Sequence, residues 1–429
     1  MKMENEKGRA EVLMDEYDHA AEKLEFSQVL DLIAGYARSE RARRMIASSA
    51  MLDTASAIEL RQAEIEELRK LGETDEALPI SGWRDSGRVV AKIISEGSTA
   101  RGEELSLIAA GERTARDVNG FIAERSDRLP LISERRKRFS IQEELVRRIS
   151  RTISPDHEVL DGASAALSRI RRQIASLRNR MRNDAAEFAE VHGGGKGYEF
   201  VTVRGERYVV SLPRGMAAGV KGIIHQTSSS GASFFIEPLQ FVEGNNRLES
   251  LIEEERDEVE RILREITREV VEKGDEVLRN QDELLELDVI SANASFAMRF
   301  ECIKPLHGSD GTMILRGARH PLLERRLMEE GSGRKVTPLD LSCGSELKAL
   351  IISGPNAGGK TVALKTVGVM VLMDRAGLLI PCSHGTVMPD YDAVFVDIGD
   401  DQSIERSLST FSSRIVRTKR ILEMVGERS

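Results

Sequence analysis

The chain has 429 residues, 40% of them hydrophobic and 31% charged, enough apolar material for two or three globular domains. Aromatics at 4% and a formal net charge of −9 argue against an aromatic-cored β-sandwich and against a chain that coats nucleic acid over its whole surface. Cys302, Cys343 and Cys382 are too far apart to suggest a disulfide framework or a C-x-x-C metal site, and the histidines show no ligand spacing. Met1–Arg9 is charged without an apolar signal core, and no run nears ~18 consecutive apolar residues. A reduced, cytoplasmic location with no membrane partner is expected.

Residues 1–20 read as a charged extension. Over 21–155 the pattern is helical: Leu24, Val29, Leu30 and Ile33 mark one apolar face, Ile58, Ile65 and Leu68 a second, and Leu105, Ile108 and Ala109 a third. Pro79, Gly82, Gly87 and Gly97 punctuate these runs, and the lone Trp83 reads as a packing anchor. Over 156–198, Leu167, Ile170, Ile174, Leu177, Met181, Ala185 and Phe188 recur at three- and four-residue steps, the seam of a long helix. The period changes over 199–242, where Phe200–Val203 and Tyr208–Leu212 read as strands around a Gly205-Glu206 turn, followed by Gly222–His225 and Ser233–Ile236. Over 243–305 a helical seam returns through Leu248, Ile252, Val259, Ile262, Ile266 and Val270 towards Leu284.

Helix, β-insert and helix in that order predict an antiparallel arm with a small β module at its tip, each helix about 45 Å long. Two helices folded separately onto a globular core would show the same periodicity; the charged run Glu253–Glu258 favours the arm. Arg169, Arg171, Arg172, Arg178, Arg180 and Arg182 line the first helix, and Lys196, Arg204, Arg207, Arg214 and Lys221 decorate the insert. On an acidic chain this is a local basic patch suited to phosphates, although a solvated helix face would read the same on charge alone.

The richest motif lies in 306–429. Gly354-Pro355-Asn356-Ala357-Gly358-Gly359-Lys360-Thr361 is a complete G-x-x-x-x-G-K-[ST] phosphate loop, with the apolar run Leu347–Ile352 before it as a strand and Thr361–Met373 after it as a helix. Glycine lets the backbone turn its N–H groups around a phosphate, and the helix dipole points its positive end at the same anion. Lys360 is expected to reach the β- and γ-phosphates of ATP and Thr361 to ligate Mg²⁺.

Together these residues resemble the MutS family of ATP-dependent DNA-repair proteins. The phosphate loop, Arg319-His320-Pro321 upstream and Ser407-Leu408-Ser409-Thr410-Phe411 downstream carry the likeness. Ala357, the run Asp397–Ile404 and Ser230-Gly231-Ala232-Ser233-Phe234-Phe235-Ile236-Glu237-Pro238 point to its second bacterial branch, MutS-two. The resemblance implies a mixed α and α/β fold: a helical core, lever helices bearing a β-rich clamp, then part of an ABC-type P-loop ATPase domain. It also implies a homodimer through that domain, with Ser409 and Thr410 contacting nucleotide held by the partner copy. The implied partners are branched or mismatched DNA, with restraint of recombination, and collided ribosomes with their RNA. The arginines expected to meet nucleic acid are Arg178, Arg180, Arg182, Arg204 and Arg207.

The departure lies at the end. The family places a Walker B strand ending in Asp-Glu after the signature, and its MutS-two branch usually adds an Smr nuclease module; neither is legible before Ser429. Val394-Phe395-Val396-Asp397 imitates such a strand but precedes the signature, and His307-Gly308-Ser309-Asp310-Gly311 echoes the Smr glycine loop only faintly. A truncated or split product is the reading these absences favour, with apolar surface exposed through Leu378-Leu379-Ile380. A non-catalytic binding module with a vestigial nucleotide site is the alternative. A P-loop phosphotransferase is disfavoured, because a coiled arm precedes the loop and no substrate-binding insertion follows it. Without a carboxylate to orient water, ATP is expected to bind with little turnover. Steady ATP turnover by the purified chain, abolished by Lys360→Ala, would contradict this and make Asp397 or Asp400-Asp401 the carboxylates to test.

Overall fold

The computed structural model describes residues 15–192, 201–204, 206–228, 231–308, 310–331, 333–344, 347, 349–355, 359–398, 407–426 and 429. The chain is mixed helix and sheet and divides into two compact units. The first comprises Met1–Asp85, Thr114–Ile141 and Arg279–Ser429; the second comprises Ser86–Arg113 and Gln142–Leu278.

In the second unit the helices Ala165–His192 and Leu239–Glu272 pack side by side. Their contacts run in opposite sequence order, so the pair is antiparallel: Ser164 meets Glu258, Arg171 meets Glu255, and Met181 lies against Gly244. The seam is the predicted one. Leu167, Ile170, Ile174, Met181 and Ala185 are buried, and Leu248, Leu251, Ile252, Ile262 and Ile266 bury the facing stripe. Each leucine, isoleucine and methionine among them contributes roughly 1.5–3 kcal/mol when fully removed from water.

Between the two helices in sequence lie β1 (Val201–Arg204), β2 (Arg207–Pro213), β3 (Gly222–Thr227) and β4 (Ser233–Pro238). They form an antiparallel sheet in the order β1-β2-β4-β3. Arg204 pairs with Arg207 across a two-residue turn in which Glu206 takes a left-handed φ of 67°. The β3–β4 register slips between Ile224 and Gln226, which leaves His225 in a bulge. Val210, Leu212 and Ile236 press from the sheet onto Met181, Ala185, Phe188 and Phe241 of the helices.

The expected descending helix is not continuous. It stops at Glu272 and a new helix, Gly274–Arg299, begins after Lys273. The break lies beside the helix Gly87–Glu96. A Cβ on Gly274 would stand 2.6 Å from Ile94 Cδ1, so a larger residue there would require the Ile94 side chain to shift.

The first unit joins helices to a second small sheet of β5 (Leu306–Gly308), β6 (Met313–Ala318), β7 (Leu339–Cys343) and β8 (Val387–Pro389). The order is β5-β8-β6-β7, with β5 parallel to β8 and the other pairs antiparallel. One apolar cluster unites Leu24, Phe26 and Ile33, the residues Leu284 to Phe300, and Val369–Met373 with Leu378–Ile380. Trp83 is buried in it, donating Nε1–H to Gln281 Oε1 at 3.2 Å. Arg135 is also buried, with its guanidinium 2.7 Å from Glu64 and 2.8 Å from Glu283, which offsets the cost of desolvating all three charges.

Leu378, Leu379 and Ile380 correct an expectation. They are 5%, 2% and 0% exposed, because Ile380 exchanges both backbone hydrogen bonds with Ile303 and turns the segment into the core.

Candidate functional site

The phosphate-loop sequence ends where a helix starts. Lys360 is the first residue of the helix Lys360–Arg375, and Gly359 before it takes φ 79°, open to glycine at little cost. Gly359, the residue before the helix, has no side chain to cap it, and the helix presents its positive dipole end at the exposed surface. Gly354 also has positive φ, at 152°, and accepts a hydrogen bond from Lys360 Nζ, so the lysine folds back over the loop. Gly354, Pro355, Gly359 and Thr361 lie at the exposed surface; Asn356, Ala357 and Gly358 fall outside the described residues.

The strand expected over Leu347–Ile352 does not form. Among its described residues none joins either sheet, and Ile351 is 90% exposed. The run has the apolar composition of a buried strand, but a strand also needs neighbours for its N–H and C=O groups. Among the described residues, β7, the strand before it, pairs only with β6. Val394–Asp397 is likewise no strand. Val394 and Val396 line an apolar cavity of about 410 Å³ with Leu364, Val367 and Val371, and Asp397 is exposed at its rim. Ser409 and Thr410 fall in the first turn of the helix Ser407–Met424, their side chains outside the described residues, as is the run 399–406 with Asp400 and Asp401.

Upstream, Arg319 pairs through Nε with both oxygens of Glu324 at 3.1 Å, and His320 precedes the helix Pro321–Glu330. His320 is 5% exposed, and neither ring nitrogen has a hydrogen-bond partner among the described residues. Burial lowers its pKa, so the ring is held neutral.

In the second unit, Arg178, Arg180 and Arg182 are exposed on the helix Ala165–His192. Arg204 is exposed as well, its guanidinium 4.8 Å from the ring centroid of Phe235. Arg207 is placed differently. It donates to Glu237 at 2.8 Å, Glu249 at 2.8 Å and Asn246 at 2.6 Å. Arg171 is engaged in the same way by Glu255 and Asp161.

Sequence reasoning missed the centre of this arrangement. Glu237 is fully buried and also accepts from Asn245 Nδ2 at 2.8 Å and meets the bulged His225 Nε2 at 2.5 Å. Asn245 in turn bonds the backbone N–H and C=O of Tyr208, tying β2 to the helix that follows β4. Burial alone would push the Glu237 carboxyl up, but the hydrogen bonds from Arg207, Asn245 and His225 outweigh it and hold it below its ordinary 4.5. The only signal in the sequence was an acid inside the otherwise apolar strand Ser233–Pro238.

Residues 350–429 match the family model described as MutS domain V. Over 410 residues the chain is 36% identical to the Endonuclease MutS2 of Pelotomaculum thermopropionicum, covering 95% of this chain and 51% of that protein. It is 35% identical over 421 residues to the Putative endonuclease MutS2 of Bacillus subtilis, with the same two coverages. The chain is similar to MutS2 proteins over nearly its whole length. It spans about half the length of the curated MutS2 relatives it matches. The match to domain V takes in the phosphate-loop residues and the helix after them, while the likeness to the MutS2 relatives extends over both units.

The Glu237 hub gives a pH test. A carboxylate whose folded pKa is depressed contributes stability that is present above its unfolded value of 4.5 and is lost as pH falls through the lower folded value. Protection factors of the β2 and β4 amides, corrected for the intrinsic exchange rate at each pH, should therefore fall below pH 4.5. Glu237→Gln should remove much of that acid dependence and loosen the sheet by about 1–3 kcal/mol at neutral pH. Unchanged exchange in the variant at both pH values would show that the hub does not hold the sheet.

Proposed function

We propose that this chain binds ATP with Mg²⁺ at Gly354–Thr361, and branched or mismatched DNA through the basic residues of its second unit, in the service of restraining recombination. The observation that carries the nucleotide reading is the helix N-terminus at Lys360, directly behind a G-x-x-x-x-G-K-T sequence that lies within the MutS domain V match. Lys360 supplies charge to the outer phosphates, and Thr361 supplies the hydroxyl for the metal. Ser409 and Thr410 of a second copy complete the site across a homodimer.

In this reading residues 21–155 form the helical core, 156–198 and 243–305 the lever helices, 199–242 the clamp, and 306–429 part of the ATPase domain. The helix pair and its β1–β4 module form the arm. Arg178, Arg180, Arg182 and Arg204 are the exposed side chains available to phosphates, whereas Arg207 serves Glu237 and holds the module together. Restraint of recombination follows if nucleotide state alters the grip of the arm on DNA.

Lys360→Ala removes a charge-assisted contact worth roughly 1.5–3 kcal/mol, about ten- to a hundredfold in ATP affinity. Equal binding of a fluorescent ATP analogue by the variant and the unmodified chain would exclude the phosphate-loop assignment.

Neutralising Arg178, Arg180 and Arg182 together should weaken binding to four-way-junction DNA and lower the salt slope by about one unit for each phosphate no longer neutralised. An unchanged affinity and slope would reduce the patch to a solvated helix face.

A further inference from the structure

The helix that starts at Lys360 is buried mainly at its other end, with Lys365 Nζ 3.0 Å from Glu25 near its middle. Thr361, Val362 and Leu364 are exposed, while Val369 to Arg375 are all buried. The last two residues are fixed to the helical part of the same unit. The Arg375 carbonyl accepts from Leu52 N–H at 2.8 Å, and its guanidinium donates to the Leu52 carbonyl at 3.0 Å and to Asp390 at 2.6 Å. Asp374, 2% exposed, accepts at one oxygen from Gln62 Nε2 at 2.8 Å and stands 3.0 Å from His307 Nε2. Gln62 lies on the helix Ala55–Gly72, is fully buried, and also donates to the Leu378 carbonyl at 3.1 Å. His307 lies on β5.

An aspartate at this position is costly. It is buried, and it sits at the negative end of the helix dipole, so it requires donors and benefits from a positive counter-charge. Gln62 supplies a neutral donor; protonated His307 supplies the charge. The hydrogen bond to Asp374 raises the His307 pKa above its ordinary 6.5, against some opposition from burial. The other charged groups facing the ring are Glu59, 3.8 Å from Nδ1, and Lys304, which opposes protonation. When His307 loses its proton, the contact falls from an ion pair to a neutral hydrogen bond.

We propose that Asp374, Gln62 and His307 are positioning residues for the phosphate loop: they fix the angle of the helix bearing Lys360 and Thr361 against the helix Ala55–Gly72, and their hold slackens when His307 deprotonates. The inference rests on the nucleotide reading above. Lys360 and Asp374 are about 20 Å apart along a stiff helix, so a pivot at the buried end displaces the exposed end. Because His307 gains a partner on folding, its contribution is complete below pH 6.5 and is lost as pH rises through the elevated folded value. Linkage makes the effect reciprocal: a nucleotide that favours the held helix must raise the His307 pKa by the same free energy.

The test measures binding of a fluorescent, non-hydrolysable ATP analogue with Mg²⁺ at pH 6 and pH 8.5, in the unmodified 429-residue chain and in His307→Gln. The comparison cancels titration of the nucleotide itself. Affinity in the unmodified chain should fall about fivefold more than in the variant, near the low end of typical coupling. The His307 ring resonance, assigned by its loss in His307→Gln, should titrate at a pKa about 0.7 higher with analogue bound, the same coupling expressed at the proton. Asp374→Asn should weaken binding at both pH values. If that variant does not fold, His307→Gln decides, since its ring is already partly solvated. Lys360-dependent binding with equal pH profiles and an unmoved His307 resonance would overturn the coupling and leave the nucleotide site standing. No analogue binding by the unmodified chain at either pH would overturn the nucleotide site, and the coupling with it.

Discussion

The first unit depends on one act of burial: the segment Val369–Met373, together with Leu378–Ile380, enters the same apolar cluster as Leu24, Phe26, Phe296 and Phe300. Residues hundreds of positions apart thereby share a single core, and the phosphate-loop helix becomes a rod set in that core at one end. The loop end can then stand at the surface without losing its orientation. The exposed apolar residues Leu350, Ile351, Val362 and Leu364 gather at that free end. The exposed end of the helix is therefore presented from a rigid base rather than enclosed by it.

The second unit meets a different constraint. Its small sheet has few buried residues of its own and depends on the helices beside it for Met181, Ala185 and Phe241. Glu237 adds a polar bond to that apolar one. A fully buried carboxylate would be a liability alone, but with Arg207, Asn245 and His225 around it the charge is satisfied, and β2, the β3 bulge and the following helix are drawn to one point. The cost is that Arg207, which reads in the sequence as one more basic residue of a phosphate-binding patch, is spent inside the module.

What the sequence made legible follows from the range of the forces involved. The Leu167–Phe188 seam is a periodicity of 3.6 within one segment, and the helix Ala165–His192 carries it as expected. The start of the helix at Lys360 is equally local, set by glycines and the residues after them. Leu347–Ile352 failed because strand formation is not local; the same composition forms a strand or an exposed run according to what lies beside it. The partners of Glu237 and Asp374 were invisible for a related reason. Arg207 stands 30 positions from Glu237, and Gln62 stands 312 from Asp374, so nothing near either acid announces its partner. Periodic burial can be read from a line of residues, whereas long-range polar pairing cannot.

The bulge at His225 has a further consequence. β3 is an edge strand whose six residues are all exposed, Ile223 and Ile224 among them, which is the profile of a template for runaway pairing with other chains. The register slip after Ile224 interrupts the alternation of N–H and C=O groups along that edge, so an incoming strand could match only one side of the slip. Because His225 is pulled back to Glu237, the irregularity is anchored and cannot be ironed flat by a visiting strand. The buried acid that secures the module from within thus also guards it against aggregation from without.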